Sequence, residues 1–250
     1  MAKRGYCDLH CHVLPGMDDG CRNCEESVRL LQESVRQNVW GIAATPHYYP
    51  SETVTSFLER REAACDRLME YLQETDADVP ELCLGAEVAY RSGIAREPML
   101  EQLCYGRSDY LLLELPFGPW RGSVLDEIEE ICLVRGMVPV IAHIERYVRF
   151  QNRETLTRLF DMDILIQMNA EYYLNMRSRG RAKRLLEKGR VQVMGSDSHN
   201  MDFRPPNLGI AMARMQKKGL QDHAESIIRQ NEEIFLSAIG RKSRGPIPKV

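Results

Sequence analysis

Five of the six histidines stand at or just past the carboxyl ends of short apolar runs, and this placement constrains the fold more than any other feature. The runs are residues 6–12 (YCDLHCH), 41–47 (GIAATPH), 82–88 (LCLGAEV), 110–115 (YLLLEL), 138–144 (VPVIAHI), 163–169 (DILIQMN) and 191–197 (VQVMGSD). Most are nearly continuous in apolar residues, as expected of strands covered on both faces of a parallel sheet. Between them lie helical patterns over 24–38, 52–74, 96–104, 122–135, 153–161, 178–188, 207–218 and 223–239. Asn23 with Glu26 three residues later makes a capping-box start for the first of these.

Regular β–α alternation predicts an α/β fold with a parallel sheet. Its length favours a closed seven-stranded (β/α)7 TIM-like barrel, one strand short of the eight-stranded form. A doubly wound open sheet is the alternative, but no G-x-G-x-x-G follows the first run. The 250 residues suit one barrel domain over 1–250, with the polar, proline-containing 241–250 expected to fray.

A net charge of −3 gives no reason to expect a nucleic-acid or membrane surface. The opening MAKRGYCDLH has no apolar stretch behind its charges, and no window approaches the roughly 18 apolar residues of a spanning helix. Neither a signal peptide nor membrane insertion is therefore expected, and the cytoplasm is the expected location. The eight cysteines are then expected to be reduced and mostly buried. Only Cys21-x-x-Cys24 has zinc-like spacing, and no second such pair completes four ligands.

The strand ends carry Asp8, His10 and His12, then His47, Glu87, Glu114, His143, Asn169 and finally Asp197, Ser198 and His199. Spacing of two puts Asp8, His10 and His12 on one strand face. In a parallel barrel these ends converge on one rim, where active sites lie. A single histidine there is ordinarily a satisfied hydrogen-bonding residue, and a single glutamate in LLLELP would need a buried arginine. So many on one rim favour metal ligation instead. Imidazole with carboxylate suits zinc, manganese or iron better than calcium or magnesium. Asp8 is expected to hold a ligand rather than bind metal. Asp18 and Asp19 precede Gly20, so a simple turn competes with ligation there. Ser196 and Ser198 read as loop residues, since no G-x-S-x-G elbow is present.

These groups exceed one four-coordinate site, which implies two or three ions. Clustered divalent ions suit phosphoester hydrolysis, because they ionise a water, clamp phosphate oxygens and stabilise an in-line displacement. Arg146, three after His143, and Arg204, five after His199, are placed to bind the phosphate.

The segments DLHCHVLPGMDDG, GIAATPHY, GAEV, LLELPF, VIAHIERY, QMNAE and GSDSHN occur in order between residues 8 and 200. Together they resemble the PHP (polymerase and histidinol phosphatase) family of metal-dependent phosphoesterases. Within it they resemble the CpsB/YwqE-like bacterial protein-tyrosine phosphatases of capsule and exopolysaccharide loci. The resemblance implies a distorted seven-stranded (β/α)7 TIM-like barrel of the PHP fold with three divalent ions, usually manganese, with iron or zinc as alternatives. Carried over, the metal ligands would be His10, His12, Asp19, His47, Glu87, Glu114, His143, Asp197 and His199. Glu87 would bridge two ions and support the nucleophilic hydroxide. Arg146 and Arg204 would bind phosphate, with Arg146 also assisting the leaving group. The choice of Asp19 over Asp18 rests on the resemblance alone. The implied substrate is the phosphorylated tyrosine tail of a bacterial tyrosine kinase that controls polysaccharide export.

Other functions compete. A cysteine-dependent tyrosine phosphatase needs Cys-x5-Arg, but Arg29 comes one residue too early after Cys24, and no other cysteine has an arginine at the right distance. A small-molecule PHP phosphatase acting on histidinol phosphate would share the metals. A metal-stabilised binding module is the non-enzyme reading, although structural sites are usually closed and cysteine-rich.

Overall fold

The computed structural model describes residues 5–240. The chain opens with β1 (Tyr6–Cys11), α1 (Cys24–Arg36), β2 (Val39–Ala44), β3 (His47–Tyr48), α2 (Val54–Thr75), β4 (Glu81–Leu84) and β5 (Glu87–Ala89). It continues with β6 (Tyr110–Glu114), α3 (Gly122–Leu133), β7 (Val138–Ile141), α4 (Arg153–Phe160), β8 (Leu165–Asn169), α5 (Ala170–Leu174) and α6 (Arg179–Glu187). It closes with β9 (Val193–Gly195), α7 (Leu208–Lys217) and α8 (Gln221–Ala238).

Every strand pairing is parallel. One sheet runs β1-β2-β4 and the other β3-β5-β6-β7-β8-β9. Along the second, spatial order follows chain order without the reversal of a doubly wound sheet. The two curl together. Asp197 N–H donates to the His10 carbonyl at 2.8 Å and His12 N–H to that of Ser198 at 2.8 Å, tying the end of β9 to β1.

The described residues hold nine strand segments where the sequence predicts seven runs. The 41–47 run is split at Thr45 and Pro46, because proline has no N–H for the ladder. The 82–88 run is split at Gly85 and Ala86, where a Cβ on Gly85 would lie 3.0 Å from the Tyr105 ring. The helix expected over 96–104 is also absent. Two short 3₁₀ turns, Ile94–Arg96 and Leu100–Leu103, replace it. Pro98 interrupts, and Met99 takes a left-handed φ of 62°. The tail 241–250 lies outside the described residues.

The α1 start follows the capping expectation: the Asn23 side chain accepts from Glu26 N–H at 2.9 Å. Glu26 reaches back one residue further than a capping box requires, accepting from Arg22 N–H at 2.9 Å. Inside the curled sheet, Cys7, Leu9, Ala43, Leu112, Val140 and Val193 form a buried cluster with Ile234 and Phe235 of α8. A Cβ at Gly41 would fall 2.6 Å from the Phe235 ring, so the strand must be bare there for α8 to seat. A second and larger apolar layer lies between strands and covering helices. No helix among the described residues is long and apolar enough to cross a membrane.

Candidate metal centre

Past the strand ends the apolar core gives way to imidazoles and carboxylates. His10, His12, Glu87, His143, Asp197 and His199 are all buried. Glu87, at the start of β5, lies at the hub. Its Oε2 is 3.1 Å from His10 Nε2, 3.2 Å from His12 Nε2 and 3.2 Å from His47 Nδ1. Its Oε1 is 2.8 Å from His143 Nε2. Asp197 Oδ1 lies 3.4 Å from His10 Nε2 and 3.5 Å from His12 Nε2.

The ligand-type atoms form three groups, each with its members within 4.8 Å of one another. One comprises His12, Asp19, His47 and His199; another His10, His12, Glu87 and Asp197; the third His47, Glu87 and Glu114. His143 adjoins the last two, 2.8 Å from Glu87 and 3.3 Å from Glu114. All nine predicted ligand positions are therefore brought to one place.

The donor set fits cations better than it fits itself. His10 Nε2 and His12 Nε2 face each other at 3.3 Å, so one turns a lone pair on the other's N–H. Asp197 Oδ1 and His47 Nδ1 are buried and make no hydrogen bond. Such atoms are costly when left among themselves, and they are what a divalent ion bonds.

Neighbouring groups fix the tautomers. The other nitrogen of His12, Nδ1, lies 2.7 Å from Asp18 Oδ2, so Nδ1–H donates there and the Nε2 lone pair faces the cluster. His199 Nδ1–H donates to the Asp197 carbonyl at 3.0 Å, which frees Nε2 toward Asp19 Oδ1 at 3.3 Å. Tyr147 hydroxyl lies 3.0 Å from His143 Nδ1.

Burial disfavours charge throughout, and the clustered partners override it at several groups. The imidazoles of His10, His12 and His143 hold the Glu87 carboxyl well below its ordinary range despite burial. Asp197 is likewise held low, with His10 and His12 as the main partners opposing burial. Burial opposes a charge on His143, but Glu114 and Glu87 outweigh it and raise its pKa to about 9. His199 goes the other way, to about 4, through burial and the nearby His12 and Arg204 charges.

Two turns that carry predicted ligands are strained. His143 has φ 31° and Asp197 φ 54°, both in the left-handed region. Non-glycine residues held there cost on the order of 1–3 kcal/mol, and the fold retains them where they aim side chains at the cluster. Gly195 serves the same end, since a Cβ there would lie 2.6 Å from His10 Cβ.

Asp8 stops short of the cluster. Its Oδ1 accepts from Ser196 N–H at 2.9 Å and His10 N–H at 3.3 Å, binding β1 to the β9 turn. Two residues deeper in a strand is about 6.6 Å, too far to share the His10 donors. The two aspartates of DDG point in different directions. Asp18 points inward, accepting from His12 Nδ1–H, from His47 N–H at 2.8 Å and from Gly20 N–H at 2.9 Å. Asp19 is exposed and sets its carboxylate beside His47 and His199.

Arg146 and Arg204 form the rim. Their Nη2 atoms lie 3.0 and 2.6 Å from Asp197 Oδ2. Arg146 Nη1 is 3.5 Å from Glu114 Oε1, and Arg204 Nη1 is 2.8 Å from His199 Nε2. Asn169 also donates to Asp197 Oδ2, at 2.7 Å. The sequence marks Asn169 as a strand-end polar residue but gives it no role. Tyr147 and the orienting role of Asp18 carry no sequence signal beyond lying inside HIERY and DDG. Glu145 and Glu171 do not join the cluster: Glu145 accepts from Asn169 N–H and Glu171 from Asn207.

All eight cysteines are free thiols, five of them buried. Burial pushes Cys21 up to about 12, the opposite of an activated nucleophile.

Residues 6–237 match the family model described as capsular polysaccharide synthesis, CpsB/CapC. The chain is 33% identical over 252 residues to the tyrosine-protein phosphatase CpsB of Streptococcus pneumoniae, covering 93% of this chain and 99% of that protein. It is 28% identical to the tyrosine-protein phosphatase YwqE of Bacillus subtilis, covering 91% and 93%. A solved structure from a study of YwqE and pneumococcal CpsB, described as metal-dependent tyrosine phosphatases, superposes with a TM-score of 0.80. It is 25% identical, and the match covers 98% of this chain and 99% of that one. The phosphotriesterase homology protein of Escherichia coli shares the fold at a TM-score of 0.53 and 10% identity.

Proposed function

Because the chain belongs to the CpsB/CapC family of capsular polysaccharide synthesis, we propose that it is a metal-dependent protein-tyrosine phosphatase. It hydrolyses the phosphoric monoester of phosphotyrosine without a cysteine nucleophile. One observation carries the reading: a floor of cation ligands around Glu87 lies under two guanidiniums that meet on Asp197. A phosphomonoester dianion requires that pairing of cation charge and bidentate hydrogen-bond donors.

His10, His12, Asp19, His47, Glu87, Glu114, His143, Asp197 and His199 would hold three divalent ions, manganese first, iron or zinc as alternatives. Glu87 would bridge two of them. Bound there, the ions supply the charge that ionises an attacking water and neutralises phosphoryl oxygens. The chain's own groups bind and orient. Arg146 and Arg204 offer the phosphoryl oxygens N–H groups now engaged with Asp197, Glu114 and His199. Arg146 also hydrogen-bonds the leaving oxygen. A phenol of pKa about 10 needs only that stabilisation to depart. Asp18 and Asp8 keep His12 and the β1–β9 junction in place.

The nine strand segments are read as seven runs of one barrel in a single domain over 1–250. β2 with β3, and β4 with β5, are each one run broken by two residues. The substrate is the phosphorylated tyrosine tail of a bacterial tyrosine kinase that regulates capsule synthesis, met in the cytoplasm. The names of the relatives support the phosphotyrosine chemistry.

The test strips metal with a chelator, restores manganese, iron or zinc singly, and measures turnover of a phosphotyrosine peptide against histidinol phosphate. Phosphotyrosine turnover that vanishes and returns, with circular dichroism unchanged, is the expected result. A strong preference for histidinol phosphate overturns the reading in favour of a small-molecule phosphatase. Unfolding on chelation, without activity before it, favours a structural role for the ions.

A further inference from the structure

Two concavities flank the centre. One, of about 500 Å³, includes Asp18, Asp19 and Phe203, and its arginines are already paired, Arg22 with Glu26 and Arg29 with Glu25. The other, of about 310 Å³, is lined by Phe117, Glu145, Arg146, Arg149, Tyr172 and Arg181, among others. Three guanidiniums face it against one carboxylate, and that carboxylate already accepts from Asn169 N–H. Among the described residues, neither Arg149 nor Arg181 has an ion-pair partner.

Arg149 lies on the Phe150 ring, 4.5 Å from its centroid, and Arg181 stands on α6, whose sequence RGRAKRLLE is strongly basic. Like charges gathered in a concave wall repel one another and attract an anion. Phe117, 62% exposed, and Tyr172 wall the pocket, and Arg146 lies 5.9 Å over the Phe117 ring. Aromatic walls lower the local polarity and favour guanidinium stacking, which strengthens contacts to an oxyanion. Arg146 lines this pocket and also reaches Asp197, so the pocket opens beside the place where the phosphoryl group would sit.

We propose that this pocket is an accessory anion subsite, which receives an oxyanion-bearing side chain flanking the phosphotyrosine of the substrate segment. The proposal rests on the phosphotyrosine reading above. The shared chemistry is a carboxylate or a second phosphoryl group held by Arg149 and Arg181, while Arg146 serves the reacting phosphate. It makes the enzyme select acidic or multiply phosphorylated segments.

The test compares phosphotyrosine amide with three peptides carrying one phosphotyrosine. Their flanks are neutral, glutamate, or the non-hydrolysable phosphonomethyl-phenylalanine. Wild-type protein is set against R149A/R181A and R149K/R181K. Exposed ion pairs are individually weak, so the anionic flanks should raise kcat/KM roughly three- to tenfold. R149A/R181A should erase that gain and leave the amide unchanged, and the lysine variant should keep part of it. A phosphonate gain without a glutamate gain identifies the second group as phosphoryl; the reverse identifies it as carboxylate. Equal turnover of neutral and anionic peptides by wild type, or a gain that survives R149A/R181A, overturns the subsite while the phosphatase reading stands. If wild type turns over no phosphotyrosine substrate, that reading falls and fluorescence anisotropy decides the subsite. Salt-sensitive preference for the anionic peptides, lost in R149A/R181A, supports it. Equal affinities overturn it.

Discussion

Asp18→Asn separates the roles of two adjacent aspartates that the sequence leaves equivalent. Asp18 accepts three hydrogen bonds, from His12 Nδ1–H at 2.7 Å, His47 N–H at 2.8 Å and Gly20 N–H at 2.9 Å. Oδ2 takes the first two and Oδ1 the third, so an asparagine turns its NH₂ either toward His12 and His47 or toward Gly20. Facing His12, that NH₂ forces the imidazole proton from Nδ1 to Nε2, into the cluster, where a lone pair is needed. If the amide flips, a buried backbone N–H is left without an acceptor, at roughly 1–3 kcal/mol. Losing an outer partner of a metal-bound histidine typically costs about 10- to 100-fold in metal affinity, or roughly 1.4–2.7 kcal/mol. D18N should therefore bind manganese about 10- to 100-fold more weakly in a calorimetric titration, and saturating metal should restore most turnover. Asp19→Asn removes the carboxylate beside His47 and His199, and excess metal should not rescue it. Wild-type manganese affinity and kcat/KM in D18N would refute the orienting role; equal metal rescue of D18N and D19N would refute the division of labour.

Other outcomes follow from the same geometry. Arg204→Ala removes a guanidinium on Asp197 and His199, and should lower kcat/KM for an aryl phosphate roughly ten- to hundredfold, at about 1.5–3 kcal/mol per charged hydrogen bond; an unchanged value counts against phosphate contact. Iodoacetamide should reach only Cys24, Cys65 and Cys132 in the folded protein and leave turnover intact, as mass spectrometry with a rate assay checks; parallel loss of activity with alkylation would revive a thiol mechanism. Burial raises Glu145 from 4.5 to about 7. A carboxyl raised on folding contributes stability below its unfolded pKa and loses it as pH climbs through 7. Glu145→Gln should thus raise Tm relative to wild type at pH 8 but hardly at pH 5, and a difference independent of pH would contradict this sign.

The sequence was enough to predict the alternation of elements, because apolar periodicity separates covered strands from amphipathic helices. It also determined the residue types at the strand ends, and parallel strands bring those ends to one rim. That is why His10, His47, Glu87, His143 and Asp197 were legible without coordinates. It did not determine where the ladder breaks, since a run such as GIAATPH reads as continuous although Pro46 interrupts it. The helix predicted over 96–104 failed for the same kind of reason, because Pro98 and the left-handed Met99 are local vetoes that apolar spacing overlooks. It took the folded chain to show that Asp18 faces inward and Asp19 outward, that Asp8 ties β1 to the β9 turn, and that Asn169 reaches Asp197. Side-chain direction after a turn depends on backbone angles and on neighbours far along the chain, as at Asp197, whose partners come from His10, Arg146, Asn169 and Arg204. Hydrogen-bond geometry over such separations is set by packing, and packing is what one-dimensional spacing cannot express.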